Sequence, residues 1–246
     1  MKKILWQEMQ RGEIAEAAKA GAVVVIPVGS VEQHGEHLPL NTDINTCFSI
    51  AKRAAELIDD FQVVVAPPIW MGFSPHHLEY PGTITLRFDT YIKLLTEVAS
   101  SITSHGFKRI FFLNGHGGNR GAISSMRNKL MKEDGIPSCI GFTWYDLVSE
   151  QLSNLSEADF SIGHAGEMET SLQLYLQPEF VNKESASWVP GVQGNPEKAT
   201  YEKGKKLFEA AIDTVIKCIR DYHSGTLEDT LVRRGDSNPE RKKYRQ

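Results

Sequence analysis

Glu32, His34, Asp43, His116 and Glu169 are the residues whose types could do chemistry together. They fall in three segments: Gly29 to Asp43, Asn114 to Asn119, and Gly163 to Ser171. Two imidazoles and three carboxylates are ligand types for a borderline divalent ion such as Zn²⁺, Mn²⁺ or Fe²⁺. That set suits two ions better than one, because a carboxylate can bridge and the extra negative charge balances a second cation. Two ions about 3.5–4 Å apart can generate a hydroxide and polarise a carbonyl together. Each residue also has a plainer explanation. His34 could be a hydrogen-bonded surface histidine, Asp43 a helix N-cap, and Glu169 a first-turn helix carboxylate. All three segments follow candidate strands, or sit where a strand–helix unit would place them. In an open α/β sheet ligands bind beyond the carboxyl ends of the strands, so the joint placement favours metal.

Other chemistries are excluded by pattern. After Gly115 and Gly117 a dinucleotide-binding GxGxxG would need glycine at 120, where the chain has Arg120. There is no GxSxG elbow to make Ser30 an esterase nucleophile. There is no HExxH, and Gln33 breaks the inverted form that His34-Gly35-Glu36-His37 approaches. No GxxxxGK[ST] phosphate loop is present.

The elements that must position these residues read as alternating strands and helices. Val23 to Val28 and Val63 to Ala66 are continuous β-branched runs of the kind that buried parallel strands show. Asp43 is a candidate cap for a helix carrying Ile44, Cys47, Phe48, Ala51, Ala54, Leu57 and Ile58 at steps of three and four. Asp89 or Thr90 opens a helix that Gly106 ends, and Arg109 to Leu113 follows as a third strand. Asn119 starts a helix, Ser138 to Tyr145 is a fourth strand, Met168 to Leu176 a helix, and Glu197 to Asp221 a long last one. The order implies a three-layer α/β/α fold on a mostly parallel sheet. No repeat or linker divides it, so residues 1–230 are expected to be one domain, with 231–246 a basic C-terminal tail.

The composition narrows the function classes. The chain has 246 residues, 27 basic and 31 acidic, for a net charge of −4. No basic stripe marks a nucleic-acid surface, and no apolar run reaches the ~20 residues of a membrane span. The start, Met1-Lys2-Lys3-Ile4-Leu5-Trp6-Gln7-Glu8, lacks a signal-peptide apolar core. Cys47, Cys139 and Cys218 form no CxxC pair. A cytoplasmic protein with small core thiols is the expectation.

Pro27-Val28-Gly29-Ser30-Val31-Glu32-Gln33-His34-Gly35, with His37-Leu38-Pro39-Leu40 and Thr42-Asp43, resembles the opening signature of the creatininase (creatinine amidohydrolase) family. Asn114-Gly115-His116-Gly117-Gly118-Asn119 and His164-Ala165-Gly166-Glu167-Met168-Glu169-Thr170-Ser171 resemble its second and third motifs. Phe73 to Thr83, with His77 and Tyr80-Pro81-Gly82-Thr83, resembles the substrate-side loop between them. The likeness runs from about residue 20 to 220.

The resemblance implies hydrolysis of a C–N amide bond in a small molecule, by a hydroxide that two divalent ions per subunit activate, in a homohexamer. Carried over by position, Glu32 and His116 bind one ion, His34 the other, and Asp43 bridges them. His164 faces the substrate as an acid/base group or orients a ligand, and Glu169 is a second proton carrier. His77, Tyr80, Gly117 and Phe160 are the implied substrate contacts, with backbone N–H groups of the 115–119 turn for the oxyanion. His37, His76, His105 and His223 are left to structural roles. Two positions depart from the creatininases themselves. Gly118 stands where they carry a metal-binding glutamate, which leaves Glu169 or water to complete the second ion. Phe160 stands where they carry tryptophan. The NGHGGN form resembles the branch of formamide hydrolases and a mycofactocin-maturation peptidase. The remaining alternative is a non-catalytic metal-binding assembly subunit.

Overall fold

The computed structural model describes residues 3–132, 138–157 and 162–227. Four strands, Val23–Val28 (β1), Val63–Val65 (β2), Arg109–Asn114 (β3) and Cys139–Thr143 (β4), form a parallel sheet in the order β2-β1-β3-β4. Val25 of β1 lies opposite Val65 on one side and Phe111 on the other. The strands alternate cleanly. Val23, Val25, Val63, Val65, Phe111 and Leu113 face one helical layer, while Val24, Ile26, Val28, Val64, Ile110 and Phe112 face the other. Both faces of β1 are covered, which is why its sequence is apolar throughout rather than alternating with polar residues.

One layer holds Arg11–Lys19 (α1), Phe88–Ser104 (α3) and Arg120–Lys132 (α4). The other holds Thr42–Leu57 (α2), Trp144–Leu147 (α5), Ser149–Leu155 (α6), Glu167–Leu176 (α7) and Tyr201–Ser224 (α8). The three-layer α/β/α arrangement is the one the element order implies. Among the described residues no helix is long and apolar enough to cross a membrane.

Boundaries differ where local signals are weak. Asp43 is not a cap: α2 already begins at Thr42, behind Asn41, which frees the carboxylate for the site. Helix α3 begins at Phe88, and a short 3₁₀ turn, Gly117–Asn119, precedes α4. Strand β4 stops at Thr143, because Trp144 turns the chain into α5. The last helix begins at Tyr201, where the Thr200 hydroxyl accepts from the Lys203 N–H, and it ends against Gly225. Glu197 lies instead in a separate 3₁₀ turn, Pro196–Lys198. Helices α1, α5 and α6 have no counterpart in the sequence reading. Each buries a single side chain, Ala17, Trp144 and Leu152 respectively, too little for a periodic signal. The expected tail, 231–246, lies outside the described residues.

Candidate metal centre and active site

The carboxyl ends of β1 and β3 bring the first two motifs together. Glu32 and His34 follow β1, and His116 follows β3. The first turn of α2 presses against the end of β3. A Cβ at Gly115 would overlap the Asp43 carbonyl, so glycine there permits the approach that sets Asp43 beside His116. The asparagines of the second motif are fasteners. Asn114 accepts from the His116 N–H and donates to the His116 and Thr143 oxygens. Asn119 donates to the Gly29 carbonyl and accepts from the Phe73 N–H.

The ligand atoms converge. His116 Nδ1 lies 3.1 Å from Glu32 Oε1 and 3.0 Å from Asp43 Oδ2. His34 Nε2 lies 3.3 Å from Asp43 Oδ1 and 3.7 Å from Glu169 Oε2. Asp43 therefore spans the cluster, one oxygen toward each imidazole. All five residues are buried. Both Glu32 oxygens, His34 Nε2 and Asp43 Oδ2 have no hydrogen-bond partner. Buried carboxylate oxygens left unpartnered are costly, and these approach imidazole nitrogens without hydrogen-bond alignment. The imidazoles are also turned for coordination. His34 Nδ1 donates to the Glu32 carbonyl at 3.1 Å, and His116 Nε2 donates to the Phe73 carbonyl at 3.2 Å. Each thereby turns its other nitrogen toward the carboxylates, where a divalent ion or, without one, a proton is held; the first bond is the outer support that metal-binding histidines need. The donor set thus fits divalent ions: Glu32, Asp43 and His116 on one side, and His34, Asp43 and Glu169 on the other.

Protonation follows the neighbours. Burial acts to lower His34 and His116, but Asp43, Glu32 and, for His34, Glu169 outweigh it, raising them to about 9 and about 10. Burial and the carboxylate of Asp43 act to raise Glu32, yet the imidazoles hold it below the usual range. Burial likewise opposes ionisation of Asp43, and the same two imidazoles bring it well below. Burial lifts Glu169 to about 7. His77 and His164 are lowered to about 4 and about 3, chiefly by burial, with neighbouring imidazoles acting the same way and the carboxylate of Glu32 opposing.

The third motif delivers two carboxylates with different duties. Glu169 Oε2 accepts from the Ala165 N–H at 2.6 Å, holding that residue at φ 53° and facing His34. Glu167 points away, into an ion pair with Lys203 at 2.6 Å and a hydrogen bond from the Glu157 N–H. Gly118 leaves no room for a side chain. A Cβ would overlap the Phe73 carbonyl and come within 2.5 Å of His116 Nε2.

A cavity of ≈ 240 Å³ opens over the cluster, lined by Glu32, Asp43, His76, His77, Gly117, Tyr145, His164 and Glu169 among others. His164 and His77, both expected at the site, stack at 4.1 Å, and His164 also lies 4.3 Å from the His34 ring. Tyr80 does not line the cavity; its ring stands 6.4 Å from His77. Phe160 lies outside the described residues. His76, given only a structural role from sequence, reaches the rim, stacked on His116 at 5.7 Å and within ligand distance of Glu32. Its adjacency to His77 was the available signal. Tyr145 also lines the wall and had none. His37 Nε2 donates to the Ala165 carbonyl and so braces the third motif.

This geometry defines an α/β protein with a candidate metal centre at the carboxyl edge of its sheet. The family description "Creatininase: Creatinine amidohydrolase" matches residues 7–219, and the chain belongs to that family. It is 28% identical over 262 residues to the 3-dehydro-scyllo-inosose hydrolase of Thermotoga maritima, covering 89% of this chain and 83% of that one. It is 31% identical over 216 residues to the mycofactocin precursor peptide peptidase of Mycolicibacterium smegmatis, covering 78% and 81%. The solved structure described as "Creatininase Mn" superposes with a TM-score of 0.80 at 25% identity, covering 89% of this chain and 98% of that one.

Proposed function

We propose that this protein is a metal-dependent hydrolase that cleaves the C–N bond of a small amide, with a cyclic amide or a formamide as the substrate class. Two divalent ions, Zn, Mn or Fe, would be held by Glu32, His34, Asp43, His116 and Glu169. The observation that carries this reading is the set of buried ligand atoms with no partner: both Glu32 oxygens, His34 Nε2 and Asp43 Oδ2. When bound, such ions act as Lewis acids and bring the pKa of a water down to about 7. The remaining work belongs to the chain. His164, neutral at pH 7, carries a bare Nδ1 at the wall, through which a proton can be relayed to a leaving nitrogen. Glu169, whose Oε2 faces His34, would complete the second ion's ligands or, where water fills that place instead, act as the second proton carrier. In the 115–119 turn the N–H groups of Gly115, His116 and Asn119 are already bonded, which leaves those of Gly117 and Gly118, both at the wall, for a developing oxyanion. A cavity of ≈ 240 Å³ suits a small substrate.

A second reading, trimming of a small peptide, is favoured by the 31% identity to a peptide peptidase. The test measures bound metal on purified protein and then screens it against lactams, formamides, creatinine, short peptides and cyclic ketones. Stoichiometric metal with lactam or formamide turnover supports the first reading, and turnover of peptides alone the second. A protein that binds no divalent ion and hydrolyses none of these sinks both.

Assembly into a homo-oligomer, a hexamer in the family resemblance, accompanies the proposal. Leu78 on the substrate-side loop, Trp70, Met71 and Ile84 flanking it, and Trp188 at 65% exposure supply apolar surface for a second copy. Light scattering that returns a monomer mass would remove it. The free thiols Cys47 and Cys139 are buried, which suits a reducing cytoplasm.

A further inference from the structure

Gln33 sits behind the cavity wall, and its amide is oriented by the backbone. Its Oε1 accepts from the Gly35 N–H at 2.9 Å, and its Nε2 donates to the Gly191 carbonyl at 2.9 Å. A backbone N–H only donates and a carbonyl only accepts, so these two partners fix which end of the amide is which. The second amide hydrogen faces His77 Nδ1 at 3.0 Å, and that atom must accept it. A neutral imidazole that accepts at Nδ1 carries its proton on Nε2. His77 Nε2 points inward, 3.8 Å from Glu32 Oε1, so this ring presents an N–H to the cavity and no lone pair for a metal.

His164 is turned the other way. Its Nε2 lies 2.8 Å from the Gln33 backbone carbonyl, which places the proton there. Its bare Nδ1 faces the same Glu32 oxygen at 3.6 Å. The Gln33 amide nitrogen also passes 3.0 Å from His164 Nε2, but both amide hydrogens are already committed. Two stacked rings of one tautomer thus face the cavity with opposite edges, and Gln33 sets both, one through its side chain and the other through its main chain.

We infer that Gln33 is a positioning residue that holds a hydrogen-bond donor, His77 Nε2–H, beside an acceptor, His164 Nδ1, and that this pair selects substrates bearing a carbonyl and an N–H on one edge. The inference rests on the amide-hydrolysis reading and deepens it. A secondary lactam, held cis by its ring, shows its carbonyl and N–H side by side. A trans amide points them in opposite directions, and the cis form of an open secondary amide is rare. The wall therefore favours cis-edged amides over open-chain ones.

The test uses the zinc-loaded protein labelled with ¹⁵N-histidine and read by solid-state NMR, which needs no substrate. His77, assigned by its missing signals in His77→Asn, is expected to show a bare Nδ1 and a protonated Nε2. A protonated Nδ1 overturns the inference, and this arm stands even if no Gln33 variant folds. Gln33→Met keeps the length and removes the donor. It is expected to give a mixed His77 tautomer with unchanged metal content. Its kcat/KM for a secondary lactam should fall about 10–100-fold, with a narrower preference over the open-chain trans analogue. An unchanged His77 spectrum, or an unchanged lactam preference, overturns it. If the tautomer depends on Gln33 but no amide is hydrolysed, the amide reading and the selectivity fail and the positioning role stands. If lactams are hydrolysed while the tautomer ignores Gln33, the inference alone fails.

Discussion

His34 and His116 sit at the floor of the cavity, each within 3.7 Å of two carboxylates, whereas His77 and His164 sit at its wall, stacked on each other and near a single carboxylate, Glu32, at 3.8 and 3.6 Å. Burial pushes all four toward the neutral form. At the floor Asp43, Glu32 and Glu169 overcome it, and the imidazoles hold protons up to about 9 and 10. At the wall His34 and the other histidines reinforce burial, and the rings are neutral well below pH 7. One residue type therefore supplies two instruments. The floor is a cation-hungry cage that protons fill when ions do not. The wall is a set of neutral hydrogen-bonding edges that keeps its chemistry whether or not ions are bound.

Breaking the floor should have the largest effect. His34→Ala and Asp43→Ala are expected to lose bound metal and to lower turnover by more than about 100-fold, since even residues one step behind ligands cost 10–100-fold. Elemental analysis beside the assay checks this, and wild-type metal content in both variants would dismantle the two-ion reading. Breaking the wall should separate metal from turnover. His164→Asn is expected to keep its metal while kcat falls about 10²–10⁴-fold. Equal kcat would take His164 out of the proton-transfer role.

The third motif offers a sharper contrast two residues apart. Glu169 faces His34, while Glu167 is paired with Lys203 outside the cavity. Glu167→Gln should keep its metal and lose some stability, because a hydrogen bond to a charged group contributes about 1.5–3 kcal/mol while the partly exposed Lys203 keeps its pair with Glu157. At about 2–4 °C per kcal/mol for a chain of this size, that is a clear drop in Tm. Glu169→Gln should do the reverse, losing metal with a smaller change in Tm. Should the two variants behave alike, the division of duties between them is wrong.

How much of this was legible in the chain depended on the kind of signal. The strands of the sheet were plain because β-branched runs such as Val23 to Val28 have only one way to be buried on both faces. All five floor residues were legible because each lies in a motif next to an element end. Their functions, though, depended on which way side chains turn. Spacing could not show that Asp43 reaches both imidazoles, or that Glu167 faces Lys203 while Glu169 faces His34. His76 was passed over because a histidine on a loop carries no periodicity, and only the fold stacks it on His116. Helix α6 was hidden because one buried leucine, Leu152, makes no pattern.

The smallest expected effect is also the most specific to the floor, and it concerns pH. In metal-free protein His34 and His116 titrate at about 9 and about 10, against about 6.5 in an unfolded chain. A raised histidine stabilises the fold fully below the unfolded value and loses that contribution as pH rises through the folded one. Stability tied to these two groups is therefore present near pH 6 and lost toward pH 10. Above about pH 7.5 the wall histidines do not contribute, because both are then neutral in folded and unfolded chains; nearer pH 6 only the unfolded chain protonates them, which opposes folding there. Glu32 and Asp43, held low, matter only in acid. When ions occupy the floor, the imidazoles bind them through the lone pairs that protons would otherwise take. The Tm of chelator-treated protein should thus fall by several degrees between pH 7 and pH 10 beyond any fall in the metal-loaded protein. Thermal unfolding of both forms across that range measures the difference. Parallel curves would mean that protons and metal do not compete for His34 and His116.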